Sequence, residues 1–111
     1  MIELENVDEK PQMIDFGMNG RVLFQLPVLG SKGVPLGLMT AFSMFWEKYQ
    51  SGRSLTELEV STAWNFLIQT LADSYPDATR QVARLDEQNL KLVLRSWVEK
   101  SGEAGFDAGK A

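Results

Sequence analysis

Residue types that commonly carry out chemistry are scarce in this chain of 111 residues. It has no histidine and no cysteine, which removes the usual general bases, thiol nucleophiles, thiolate metal sites and disulfides. Carboxylates remain, but their spacing does not match that of a calcium-binding loop. The sequence therefore predicts a protein that is not an enzyme, with no cofactor, no metal site and no small-molecule substrate.

Two local patterns suggest chemistry only weakly. Asp15 is predicted to face Phe24 across a β-hairpin, which would make it a candidate perturbed acid. The favoured interpretation is an edge-strand charge that discourages aggregation. The segment Gly30-Ser-Lys-Gly33 superficially suggests phosphate binding, but it lacks the spacing of a P-loop. We interpret this segment as a connecting loop.

Basic residues near the C-terminus raise the question of nucleic-acid binding. Four of them flank the turn between the last two predicted helices: Arg80, Arg84, Lys91 and Arg95. Acidic residues interleave with them, and Asp86 and Glu87 open the helix that would enter the major groove. The chain also has a net charge of −4, which is poorly suited to neutralising a run of phosphates. We therefore predict a solvated charged face and no nucleic-acid partner.

Targeting signals are not predicted either. Residues 1–10 are acidic and lack the apolar run of a signal peptide. The longest apolar stretch, Pro35 to Trp46, is too short and too interrupted to span a bilayer. We expect a cytoplasmic protein with no membrane partner.

A β-hairpin is predicted over residues 13–27. Asn19-Gly20 lies between two apolar runs and is the preferred pair for a type I′ turn, in which both central residues have positive φ. A two-residue turn without a bulge would pair Phe16 with Leu23 and leave apolar side chains on both faces. Because an isolated hairpin is only marginally stable in water, it should pack on helices or on a partner.

Helical periodicity accounts for most of the remaining chain. Four helices are predicted, over residues 35–50, 54–75, 76–85 and 86–101. Ser54 and Glu57 have the spacing of a capping box, Asp86 is the predicted N-cap of the last helix, and Gly102 its expected stop. Trp64 and Trp97 occupy buried positions of their helices. The fold class is thus α+β, mainly α, with an N-terminal hairpin and a small bundle of about four helices.

These elements make one predicted globular domain over residues 13–102. A flexible acidic arm should precede it over residues 1–12, and a flexible tail should follow over residues 103–111.

The first helix carries more apolar side chains than a small core needs. Two interpretations remain open: either all of them are core, or some are exposed for a partner. A contiguous exposed apolar patch usually marks an interaction site. The candidate partner-binding residues are Leu36, Met39, Met44, Trp46 and Phe66.

Several short sequence motifs follow one another in a particular order along the chain. An aromatic β segment runs into Leu-Pro at Phe16 to Pro27, and a loop with Pro35-Leu36 follows. A proline-started helix covers residues 76–85, and the last helix ends Trp-x-x-x-Ser-Gly at Trp97 to Gly102. In this order the chain resembles the tail assembly chaperones of long-tailed bacteriophages of the siphophage type. It departs from many of them after Gly102, where a Gly-Glu-Ser-type tail is replaced by residues 103–111.

The resemblance implies a non-catalytic chaperone, from a phage or a prophage, that binds and solubilises the tape measure protein during tail tube assembly. It would act in the cytoplasm of the bacterial host and be absent from the mature virion. The tail tube protein and a second copy of the chain are further candidate contacts. The alternative function is a structural virion subunit, such as a head–tail connector or a tail-completion protein.

Overall fold

The computed structural model describes residues 1–5 and 10–106 and confirms the predicted fold class. Its elements are β1 (Met13–Met18), β2 (Arg21–Pro27), α1 (Leu36–Gln50), α2 (Leu58–Ser74), α3 (Pro76–Ala83) and α4 (Glu87–Glu103). Residues 6–9 of the predicted arm and 107–111 of the predicted tail lie outside the described residues. Among the described helices, none combines the length and apolar character needed to cross a membrane.

The turn of the hairpin is confirmed, but the predicted strand register is wrong. Asn19 and Gly20 have φ values of 55° and 78°, as a type I′ turn requires. Beyond the pair Gly17–Val22, an irregularity of the β-bulge kind shifts the register, so that Phe16 pairs with Phe24 rather than with Leu23.

The bulge gives the hairpin one apolar face that packs against the core and one face that is mostly exposed. Ile14, Phe16, Phe24 and Leu26 now share the face that packs against the helices, and the rings of Phe16 and Phe24 stack with centroids 5.2 Å apart. The unbulged register would have left apolar side chains on both faces. Burial of one continuous apolar face is the more favourable arrangement.

Asp15 consequently lies on the exposed face, and its predicted position opposite Phe24 is wrong. It pairs with Gln25 across the strands. The Gln25 Nε2 donates a hydrogen bond of 2.6 Å to Asp15 Oδ1. This contact removes the apolar surrounding that made Asp15 a candidate acid.

The core lies between the inner face of the hairpin and the helices. Its largest fully buried side chains are Trp97, Phe42, Phe45, Leu26, Leu29, Leu38, Leu67, Leu71 and Leu94. The prediction that Trp97 is buried is confirmed, and Trp64 is partly buried against the core. Trp64 lies on the flank of the α2 stripe, and its ring is tilted against Phe45 at 5.2 Å.

Two buried hydrogen bonds attach the last residue of β2 and the segment after it to α4. Trp97 Nε1 donates to the Pro27 carbonyl oxygen at 2.7 Å, and the Leu29 N–H donates to Ser101 Oγ at 2.9 Å. Buried backbone groups outside regular structure need such partners, because leaving them unpaired costs free energy. The hairpin and the last helix are therefore held together by specific polar contacts as well as by apolar packing.

The helix N-termini agree with the sequence in one case and not in another. Asp86 is the N-cap of α4, since its Oδ1 accepts a hydrogen bond of 2.8 Å from the Asn89 N–H. The predicted capping box of Ser54 and Glu57 is wrong, because α2 begins at Leu58 and has no side-chain cap. Ser54 Oγ instead accepts from the Thr56 N–H at 3.2 Å, a local bond typical of serine in turns.

The C-terminal end of α4 lies beyond the predicted stop. The helix continues through Gly102 to Glu103, and the residue with left-handed backbone is Gly105, with φ of 97°. The Phe106 N–H donates to the Ser101 carbonyl at 3.0 Å, the long bond of a Schellman motif. Phe106, which lies in the predicted tail, is partly buried against Phe42.

Candidate partner-binding surface

An open apolar groove of about 560 Å³ lies between α1 and α2. We call it the α1–α2 groove, and its lining residues are Met44, Lys48, Leu58, Glu59, Thr62, Ala63 and Phe66. Its large apolar side chains are well exposed, with 81% of Leu58, 50% of Phe66 and 49% of Met44 accessible to solvent. Exposed apolar side chains gathered in one concave surface are typical of an interaction site.

The spacing of residues along each helix produces this groove. Leu58, Thr62 and Phe66 follow one another at intervals of four, so they form a ridge on one side of α2. Met44 and Lys48 have the same spacing on α1. Because Lys48 lies near Glu59 while Met44 lies in the groove with Phe66, the two helices run antiparallel. The groove is the seam between their outward-facing ridges.

Charged groups occupy one end of the groove. Glu59 pairs with Arg53, and its Oε2 lies 3.9 Å from Lys48 Nζ. Arg53 Nε also lies 3.9 Å from Glu57 Oε2. These side chains are exposed, and such pairs each contribute about 0–1 kcal/mol to stability. Their main effect is to give an otherwise apolar groove one polar end.

The structure brings together two of the five sequence-predicted partner residues. Met44 and Phe66 come from different helices and line the α1–α2 groove. Leu36 is 74% exposed in the first turn of α1 but does not line the groove.

Met39 and Trp46 pack against the core rather than in the groove. The Met39 Sδ accepts a hydrogen bond of 3.2 Å from the Gly30 N–H. The indole of Trp46 stacks on Phe42 with a centroid distance of 6.1 Å. Both side chains are half-buried, which leaves each with only a partial surface for a partner.

Leu58 is the most exposed of the large apolar residues in the groove, and the sequence reasoning missed it. The signal was its spacing, since Leu58 precedes Phe66 by two intervals of four and therefore shares its face of α2. The buried stripe begins only at Val60, so a search confined to that stripe passes over Leu58.

Other surfaces of the described chain offer little chemistry. Within residues 1–5 and 10–106, no cluster of three or more acidic side chains is arranged to hold a metal ion. Burial raises the pKa of the Tyr75 phenol above its ordinary value of 10.0, so this group is neutral near pH 7.

No family model matches this chain, nor does any curated protein or solved structure. Function therefore has to be inferred from the shape and chemistry of the surface itself.

Proposed function

We propose that this protein is a non-catalytic tail assembly chaperone of a long-tailed bacteriophage or prophage, which binds and solubilises the tape measure protein. The observation that carries the proposal is the α1–α2 groove, where Met44, Leu58 and Phe66 form an exposed apolar surface. The order of sequence motifs, which resembles that of tail assembly chaperones, supports the same function.

Binding would follow the helix-in-groove mode. A tape measure protein is a long apolar helical chain that aggregates unless its surface is covered. Its apolar face would lie on Leu58, Phe66 and the flexible side chain of Met44, a residue type that adapts to many sequences. Its polar side would lie toward the ion pairs of Glu59 at the end of the groove.

The dimensions of the groove bear on how a long client is covered. From Leu58 to Phe66, α2 advances about 12 Å, or roughly two helical turns. One copy therefore covers a short length of client helix, and several copies act along it. As a chaperone, the protein would remain in the cytoplasm of the bacterial host and leave the client when the tail tube closes around it.

Co-expression with the tape measure protein of the same phage or prophage tests this proposal. We expect the native chain to keep the client in the soluble fraction and the double variant Met44→Gln with Phe66→Gln to fail. If the double variant loses about 1.4 kcal/mol of binding free energy, its affinity for the client falls about tenfold. Leu92→Gln is the matched control, because Leu92 is an exposed apolar residue of α4 outside the groove. Circular dichroism melts establish that all variants are folded.

Two outcomes would contradict the proposal. One is equal solubility of the client with the groove variant and with the native chain. The other is the presence of this chain in stoichiometric amounts in purified virions, which would instead indicate the structural-subunit function.

A further inference from the structure

A larger groove of about 970 Å³ lies beside β1, and we call it the β1-edge groove. It is bounded by the start of β1, the loop that follows β2 and the last turn of α4. It shares no lining residue with the α1–α2 groove. It is therefore a surface separate from the proposed client site.

The groove follows the backbone edge of β1. Four consecutive residues, Gln12 to Asp15, line it, whereas no residue of β2 does. Successive side chains of a strand point to opposite faces of the sheet, so a groove that touches four in a row runs along the edge. The described sheet has two strands, and this edge of β1 has backbone N–H and C=O groups without a strand partner. Such an edge is a template for a further strand.

The groove is also basic in an otherwise acidic chain. Three lysines from three different segments line it: Lys10, Lys32 and Lys100. Of its two carboxylates, Asp15 accepts the hydrogen bond from Gln25, and Glu103 lies 3.8 Å from Lys100 Nζ. Lys32 forms no ion pair with any described residue. The described lining, with three lysines and two carboxylates, carries a net charge of +1, whereas the whole chain carries −4.

We propose that the β1-edge groove binds an extended acidic peptide segment of a partner protein. The segment adds to β1 as a third strand, and its carboxylates lie toward Lys32 and Lys100. Main-chain hydrogen bonds along the edge supply affinity, and the charges supply selectivity. A free anion would contact the lysines but would not pair with the edge of β1. The lysines and the strand edge together therefore favour a peptide over a free anion.

A synthetic probe tests the proposal on the full chain. The probe is a blocked hexapeptide of alternating glutamate and valine, and its binding is followed by the amide NMR shifts of Met13, Ile14 and Asp15. We expect Lys32→Glu with Lys100→Glu to weaken binding about tenfold or more, because like charges would then face each other. The control Lys91→Glu should change the affinity less than twofold, since Lys91 pairs with Glu87 on α4 outside the groove.

Two modified probes separate strand addition from charge attraction alone. The same peptide with alternate backbone amides methylated cannot complete the edge hydrogen bonds, and we expect it to bind about tenfold more weakly. The lysine–valine counterpart should not bind. Equal binding of the methylated or the basic peptide would overturn the proposal. So would shift changes confined to the α1–α2 groove, or no binding of the acidic probe at millimolar concentration.

Discussion

Trp97 makes two contacts that a pair of substitutions can separate. Its ring meets Phe42 edge to face with a centroid distance of 4.7 Å, and its Nε1 donates to the Pro27 carbonyl. The side chain is 2% exposed, so both contacts are shielded from water. Apolar packing and hydrogen bonding thus act through one residue at the junction of the hairpin and α4.

We expect Trp97→Ala to lower the free energy of unfolding by about 3–5 kcal/mol, because it leaves a large cavity. Trp97→Phe retains a ring but leaves the Pro27 carbonyl unpaired, at a cost of about 1–3 kcal/mol plus a smaller cavity. Trp64→Ala should cost less than Trp97→Ala, since Trp64 is only partly buried. Urea denaturation measures all three. An equal loss for Trp64→Ala and Trp97→Ala would show that the centre of the core lies elsewhere.

Two buried serines should respond in opposite directions to loss of their hydroxyls. Ser101→Ala leaves the buried Leu29 N–H unpaired and should lower stability by about 1–3 kcal/mol. Ser43 Oγ is buried with no hydrogen-bond partner among the described residues, so Ser43→Ala should be neutral or stabilising. Paired thermal and urea unfolding curves test the contrast, and a loss of stability for Ser43→Ala would contradict it.

At the scale of single residues, the sequence predicts which side chains are buried better than it predicts their hydrogen-bond partners. Helical periodicity placed Trp97 and Leu94 in the core, because a stripe of apolar residues has to face inward. It gave no sign that Ser101 accepts from Leu29, since those residues are 72 positions apart. Only the packing of α4 against the segment after β2 brings them together.

Among the elements, the bulged hairpin depends on one glycine. A Cβ on Gly17 would lie 2.1 Å from the Arg21 carbonyl oxygen, so Gly17→Ala forces the backbone to move. We expect a loss of about 1–3 kcal/mol, the usual cost of overpacking. Amide NMR shifts of β1 and β2 would report the accompanying change of register.

Gly37→Ala is the matched control for that substitution. Gly37 lies in α1, and an added Cβ would meet nothing within 4 Å. Alanine in a helix is favoured over glycine by about 0.5–1 kcal/mol, so this variant should be more stable than the native chain. Similar stability changes for the two variants would contradict the role assigned to the bulge.

The two candidate helix caps should also differ in their response to alanine. Asp86→Ala removes the hydrogen bond to the Asn89 N–H and should cost about 0.5–2 kcal/mol. Ser54→Ala breaks only the local contacts with Thr56 and should cost much less. Chemical denaturation of the two variants distinguishes them, and an equal cost would restore Ser54 as a cap.

The hairpin turn and the order of the helices were predictable from the sequence, whereas the bulge and the start of α2 were not. The hairpin turn and the order of the helices followed from Asn19-Gly20 and from helical periodicity. The bulge did not, because an alternating pattern contains no sign of an extra residue in one strand. Likewise, the pattern Ser54-x-x-Glu57 is the same whether it caps a helix or precedes it by a turn.

Over the whole molecule, the two proposed surfaces should differ in their sensitivity to salt. Between about 0.01 and 1 M ionic strength, the Debye length falls from about 30 to 3 Å. Binding of the acidic probe at the β1-edge groove should therefore weaken markedly, whereas apolar binding at the α1–α2 groove should not. Titrations at both salt concentrations test this, and a similar salt dependence at the two grooves would contradict the division of charge between them.

The composition of the α1–α2 groove was only partly predictable. Met44 and Phe66 were identifiable because each lies off the buried stripe of its own helix. That they line one groove together with Leu58 depends on how α1 and α2 are aligned, which a stripe on a single helix does not specify. The same limit explains why Met39 and Trp46 were grouped with Met44, although they pack against the core.

The hydrogen bonds from α4 to Pro27 and Leu29 have a consequence for folding during synthesis. They close loops of 70 and 72 residues, and a ribosome adds about 5–20 residues per second. After the hairpin emerges, the apolar side chain of Leu26 therefore remains without its α4 neighbours for several seconds. During that interval the nascent chain resembles the aggregation-prone clients that it is proposed to protect, and ribosome-bound folding factors would find it exposed.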